Sequence, residues 1–265
     1  MTIRGVGVAL LVIFFLVRCD LLEYSPNQVY DQDTPVNLNQ KNLDKLFATP
    51  GDDTITIAFV GDSQRFYEEL ESFIDTANAI SSIDFVLMAG DISDFGLLEE
   101  FEQIEDILST LNKPFISVVG NHDVQAKGEE TFERMFGPLN FSFIYNKVKF
   151  IAHNTNGREY APGTIPDMTW LRKEFSKDDG TQYYVPVSHI PPFDDDFDKD
   201  LEADYTQLLR EKKPIISLHG HIHEFKDGFP YEDGVRYMTS HSFELQSFVL
   251  LKIVKGKIYH EIISY

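Results

Sequence analysis

Five short apolar runs along the chain each end in a polar turn able to bind a ligand. Residues 54–60 run into Gly61-Asp62-Ser63-Gln64, 85–89 into Gly90-Asp91-Ile92-Ser93-Asp94, and 114–119 into Gly120-Asn121-His122-Asp123. Residues 183–188 are closed by His189, and 214–219 by Gly220-His221-Ile222-His223. Continuous runs of β-branched and aromatic residues read as strands buried on both faces. Between the first three turns, apolar residues fall at 66, 70, 73, 74, 77 and 80, and again at 98, 101, 104, 107, 108 and 111. That spacing predicts two helices with one core-packing face each. Asp62 to Asp91 is 29 positions and Asp91 to Asn121 is 30, which fits βαβ units with parallel strands.

After Asp123 the pattern changes. Residues 141–145 and 148–152 read as a hairpin turning at Asn146-Lys147. Residues 169–175 form a short helix with Trp170, the one tryptophan. Residues 236–239, 243–254 and 257–264 read as antiparallel strands, with a turn at Lys255-Gly256. The class is therefore α/β. Two mixed sheets face to face with helices outside would bury all of it, giving a four-layer α/β/β/α sandwich. In open α/β sheets ligands gather at the carboxyl ends of strands, so the five turns predict one site there.

The N-terminal region reads differently. In residues 1–19, Arg4 precedes an apolar stretch at 6–17 that is short for a bilayer span and has the length of an export signal. Cys19, the only cysteine, follows at once, and the junction resembles a bacterial lipoprotein box, in which the thiol is acylated. Arg18 stands where such boxes usually have a small residue, and an uncleaved anchor helix is the alternative. Either way the expected product is exported and held at a membrane by its N-terminus. Residues 20–53 are polar and carry three prolines, so they read as a tether, with at most a helical turn at 42–47. Residues 54–265 form the single domain.

Acidic residues outnumber basic ones 43 to 23, and the resulting net charge of −20 argues against nucleic acid as a partner. It leaves a phosphate substrate open, because bound cations invert the local field.

The polar residues at the strand ends are Asp62, Gln64, Asp91, Asp94, Asn121, His122, His189, His221 and His223. Carboxylates and imidazoles without thiolates suit divalent Mn, Fe or Zn. The set is too large for one ion and about right for two, roughly 3.5–4 Å apart and sharing a carboxylate.

In this order, the five motifs resemble the calcineurin-like metallophosphoesterase family across roughly residues 54–240. Phe150-Ile151, Asn154-Thr155 and Trp170-Leu171 look like the family's middle segment. The resemblance implies a hydrolase of phosphate esters with two divalent ions. Asp62, Gln64 and His223 would hold the first and Asn121, His189 and His221 the second. Asp91 would bridge them together with a hydroxide that acts as nucleophile. His122 would serve the leaving oxygen, with Asp94 orienting it. Gln64 departs from the family's usual histidine. Gly-Asn-His-Asp rather than Gly-Asn-His-Glu leans the reading towards small phosphodiester substrates. A phosphomonoesterase, or a non-catalytic phosphate-binding lipoprotein, is the alternative.

Elsewhere, His153, Asn154, Asn156, Arg158 and Tyr160 share one segment, read as an exposed loop from which Arg158 could clamp a phosphate. Asp194-Asp195-Asp196, with Asp198 and Asp200, reads as a solvated acidic loop at the rim. His219 reads as a strand residue behind the site. His241 and His260 read as structural.

Overall fold

The computed structural model describes residues 28–49 and 53–265. The predicted export segment 1–19, with Cys19, and the start of the predicted tether lie outside those residues. Among the described residues no helix is long and apolar enough to cross a membrane.

Strands β1 (Thr54–Val60), β2 (Phe85–Met88) and β3 (Phe115–Ser117) are parallel neighbours. Strand β10 (Ser247–Val254) pairs antiparallel with β1, and β11 (Lys257–Ser264) with β10. The first sheet is thus ordered β11-β10-β1-β2-β3. The second holds β4 (Phe141–Tyr145), β5 (Val148–Ala152), β6 (Tyr183–Val187), β7 (Ser217–His219), β8 (Lys226–Gly228) and β9 (Tyr237–Thr239), in the order β4-β5-β6-β7-β9-β8. Strands β5, β6, β7 and β9 run parallel.

The period-2 alternation of each strand divides its side chains between two apolar layers. In β1, Ile55, Ile57 and Phe59 enter the layer between the sheets, where they meet Phe150, Val185, Leu218 and Met238. Ala58 and Val60 face the opposite way, beneath α2 (Tyr67–Ala79), α3 (Leu98–Leu108) and α4 (Gly128–Met135). A third cluster joins the outer face of the second sheet to α5 (Met168–Glu174) and α6 (Lys199–Lys212). These layers make the predicted α/β/β/α sandwich.

The reading of residues 20–53 as tether needs correction. Residues Leu38–Ala48 form helix α1, whose Leu38, Leu43 and Leu46 are buried. Strand β3 is a sheet edge, and an exposed edge leaves backbone donors and acceptors unpaired. The helix covers it with one side chain. Asn39 donates its Nδ2–H to the Ser117 carbonyl, and its Oδ1 accepts from the Ser117 N–H, both at 2.8 Å. Four polar residues in the first five of the helix, Asn39, Gln40, Lys41 and Asn42, hide its apolar stripe from a composition-based reading. Asn39→Ala leaves both Ser117 groups buried and unpaired. It should cost about 2–4 kcal/mol, read from the urea midpoint of the chain; an unchanged midpoint would return the helix to the tether.

Candidate functional site

All five polar turns meet at the carboxyl ends of β1, β2, β3, β6 and β7. The strands leave their sheets abruptly, and four of the turning residues have left-handed backbones: Asp62 (φ 58°), Asp91 (φ 55°), His221 (φ 69°) and His223 (φ 62°). Non-glycine residues in this region carry strain and cluster where a site over-determines them. Gly120 cannot be replaced: a Cβ there would lie 2.1 Å from both the backbone nitrogen and Oδ1 of Asp91. The second and third turns are therefore in contact through bare backbone.

Asp91 stands at the centre. Its Oδ1 accepts from the His122 N–H (3.0 Å), and its Oδ2 lies 3.1 Å from His189 Nε2. His189 Nε2 is 3.0 Å from Asn121 Oδ1 and 3.3 Å from His221 Nδ1, which is itself 3.1 Å from Asn121 Oδ1. Four donor atoms from four strand ends thus converge. His189 donates its Nδ1–H to the Ala89 carbonyl (2.6 Å), which points Nε2 at this group. Beside them, His223 Nε2 lies 3.4 Å from Asp62 Oδ1.

The electrostatics match a cation site. Burial disfavours charge on His189, but Asp91 overrides it and raises the imidazole. Burial would likewise raise Asp91, and His189 holds it below the usual carboxylate range. Burial, then His189, lowers His221, while a hydrogen bond to Asp62 raises His223. The test of fit lies in two further atoms. Asp62 Oδ2 and Gln64 Oε1 are buried and have no hydrogen-bond partner among the described residues. Buried acceptors are nearly always paired, so two orphans in the turn that follows β1 suit a divalent ion. Gln64 fits this role through its amide oxygen.

Other predicted residues sit differently. His122 Nδ1 donates to the backbone carbonyl of Asp94 (2.7 Å), while the Asp94 carboxylate is 4.0 Å away and paired with Arg65. Asp94 therefore orients His122 by its main chain. Arg158 is exposed and paired with Asp196, so it is not a free clamp. The segment from His153 to Gly157 is buried rather than an exposed loop. His153 donates Nδ1–H to the Ile151 carbonyl and accepts the Tyr205 hydroxyl at Nε2; burial lowers it to about 4. His219 lies between the Ser188 and Ser217 hydroxyls, and burial lowers it further. His241 bonds Ser247, and His260 lies beside Phe225.

Asp123, read from the sequence only as the last member of the Gly120-Asn121-His122-Asp123 turn, has a role that the reading missed. Its Oδ1 accepts from the Ile92 N–H, the Ser93 N–H and the Ser93 hydroxyl, and its Oδ2 from the Gly120 N–H. It ties the second turn to the third. Burial and the nearby Asp91 push its carboxyl up to about 7. The available signal was an aspartate three residues after a glycine in a turn, the spacing of side-chain capping.

The sequence profile of calcineurin-like phosphoesterases matches residues 55–225. The chain belongs to the calcineurin-like phosphoesterase family. The family is one of phosphoesterases, and it typically binds divalent metals. The chain is 24 % identical over 199 residues to a Borreliella afzelii protein named phosphoglycerate kinase, covering 71 % of this chain and 45 % of that one. It is 24 % identical over 119 residues to an Arcobacter nitrofigilis protein named probable glycerophosphodiester phosphodiesterase, covering 41 % of this chain and 42 % of that one. The chain thus spans less than half the length of each of these relatives. Purple acid phosphatase PPD1 of yellow lupin (Lupinus luteus) superposes with a TM-score of 0.65 at 14 % identity, over 82 % of this chain and 53 % of that one. That likeness shows the shared fold.

Asp123→Asn turns an amide N–H2 towards donors that now meet a carboxylate. It should cost about 2–4 kcal/mol of stability, measured by denaturant unfolding. A cost below about 0.5 kcal/mol, as at an ordinary surface position, would show that Asp123 does not tie the turns.

Proposed function

We propose that this chain hydrolyses phosphate esters with two divalent ions, Mn, Fe or Zn, and that small phosphodiesters are its substrates. The observation that carries this reading is the convergence of Asp91, Asn121, His189 and His221 beside the two orphaned oxygens of Asp62 and Gln64. Asp62, Gln64 and His223 would hold one ion and Asn121, His189 and His221 the other, with Asp91 shared. When bound, the ions supply an activated water and neutralise the phosphoryl oxygens. His122, fixed at Nδ1 by the Asp94 carbonyl, keeps Nε2 for the proton that goes to the leaving oxygen.

Charge at the mouth supports the diester preference. Arg65 is paired with Asp94 and Arg158 with Asp196, while Asp194 and Asp195 add further negative charge. A singly charged diester suffers less repulsion there than a doubly charged monoester. The name of the Arcobacter relative points the same way. We further propose that the chain is exported and tethered through a lipid on Cys19. Cys19→Ser should move the protein from the membrane fraction to the soluble one; an unchanged distribution would remove the lipid anchor.

The catalytic reading is tested on the full chain stripped of metal, with bis-p-nitrophenyl phosphate and p-nitrophenyl phosphate as substrates. Added Mn²⁺ should restore turnover with the diester favoured. His122→Ala and Asp91→Asn should each lose roughly 100-fold or more. No turnover with any divalent ion, or turnover untouched by both variants, would overturn it in favour of a phosphate-binding protein.

A further inference from the structure

The loop between β6 and α6 was expected to be a solvated acidic stretch, but it is built onto the site. Ile190 and Phe197, each 1 % exposed, anchor its two ends. Asp198 caps α6 by accepting from the Asp200 N–H, and its other oxygen accepts from the Gly163 N–H. Inside the loop, Asp194 Oδ1 accepts from the Asp196 N–H, and the Asp194 carbonyl accepts from Lys199 Nζ. Thus held, two carboxylates face His221. Asp196 Oδ2 lies 3.2 Å and Asp194 Oδ1 3.6 Å from His221 Nε2.

A neutral imidazole carries its proton on one nitrogen and its lone pair on the other. His221 Nδ1 faces Asn121 Oδ1 and His189 Nε2, where a lone pair is needed to hold an ion. The proton then belongs on Nε2, where the carboxylates of the loop lie. Ligand histidines usually have their second nitrogen fixed by a carboxylate or carbonyl, which sets both tautomer and ring angle. His189 obtains this from the Ala89 carbonyl. The loop offers His221 a carboxylate instead.

We propose that Asp196, backed by Asp194, is a positioning residue: it holds His221 through Nε2 so that Nδ1 faces the ion. This rests on the two-ion reading above. Arg158, paired with Asp196, is the counter-charge that keeps this carboxylate at the mouth of an acidic site. The pairing gives Arg158 a part in the loop in place of a direct grip on phosphate.

The test is calorimetric titration of the metal-free full chain with Mn²⁺, with thermal unfolding of the metal-free chain recorded beside it. The wild type should bind two ions. Asp196→Ala, which removes the acceptor at Nε2, should weaken one of them roughly 10-fold or more and leave the other, and the melting temperature without metal, unchanged. Asp196→Glu and Arg158→Ala should stay within about threefold of wild type, since the acceptor at Nε2 is retained. Two ions bound by Asp196→Ala as tightly as by wild type would overturn the proposal. So would an equal loss in Arg158→Ala, because Asp196 would then act only by fastening the loop. A wild type that binds fewer than two ions would instead fail the two-ion reading itself.

Discussion

The site depends on the contact between the second and third turns. Asp91 and Gly120 touch with no side chain between them, and Asp123 stitches both backbones from beneath through four accepted hydrogen bonds. This arrangement brings Asp91, from the end of β2, within a few ångströms of Asn121 and His122, from the end of β3. It also buries Asp91 and Asp123 close together in a poorly solvated place, which is costly unless positive charge is supplied nearby. His189 supplies some of it from the other sheet. Buried histidine and carboxylate donors with orphaned oxygens beside them are what a divalent ion would complete.

The two sheets divide the work. The first sheet's parallel βαβ units deliver carboxylates and amides in the first half of the chain. The second sheet delivers the imidazoles of His189, His221 and His223, and the apolar layer between the sheets sets the separation of the two groups. That layer is closed at one edge by α1 and Asn39, which precede every residue of the site. The left-handed backbones at Asp62, Asp91, His221 and His223 are tolerated because a strand fixes the entry to each turn. Local strain and global packing therefore belong to one device.

Much of this was legible in the sequence because strand, glycine and ligand recur with a fixed rhythm. The βαβ spacing, the hairpin at Asn146-Lys147 and the terminal pair of strands follow from periodicity that tertiary contacts reinforce. Other features depend on contacts that periodicity does not encode. Helix α1 hides its stripe among asparagines whose use appears only opposite the β3 edge. Asp94 offers His122 a carbonyl, which every residue has, while Arg65 takes its carboxylate. Asp194 and Asp196 look solvated in one dimension and turn towards His221 only because Ile190 and Phe197 anchor their loop. His153 to Gly157 looks polar enough to be exposed, but inside the fold His153 pairs with Tyr205, Asn154 with Tyr160, and Thr155 and Asn156 with the backbone.

The most direct test of the central claim is anomalous diffraction from crystals of the chain loaded with Mn²⁺. Two peaks about 3.5–4 Å apart are expected. One should lie against Asp62, Gln64 and His223, the other against Asn121, His189 and His221, with Asp91 touching both. A single peak, or peaks away from these strand ends, would contradict the account.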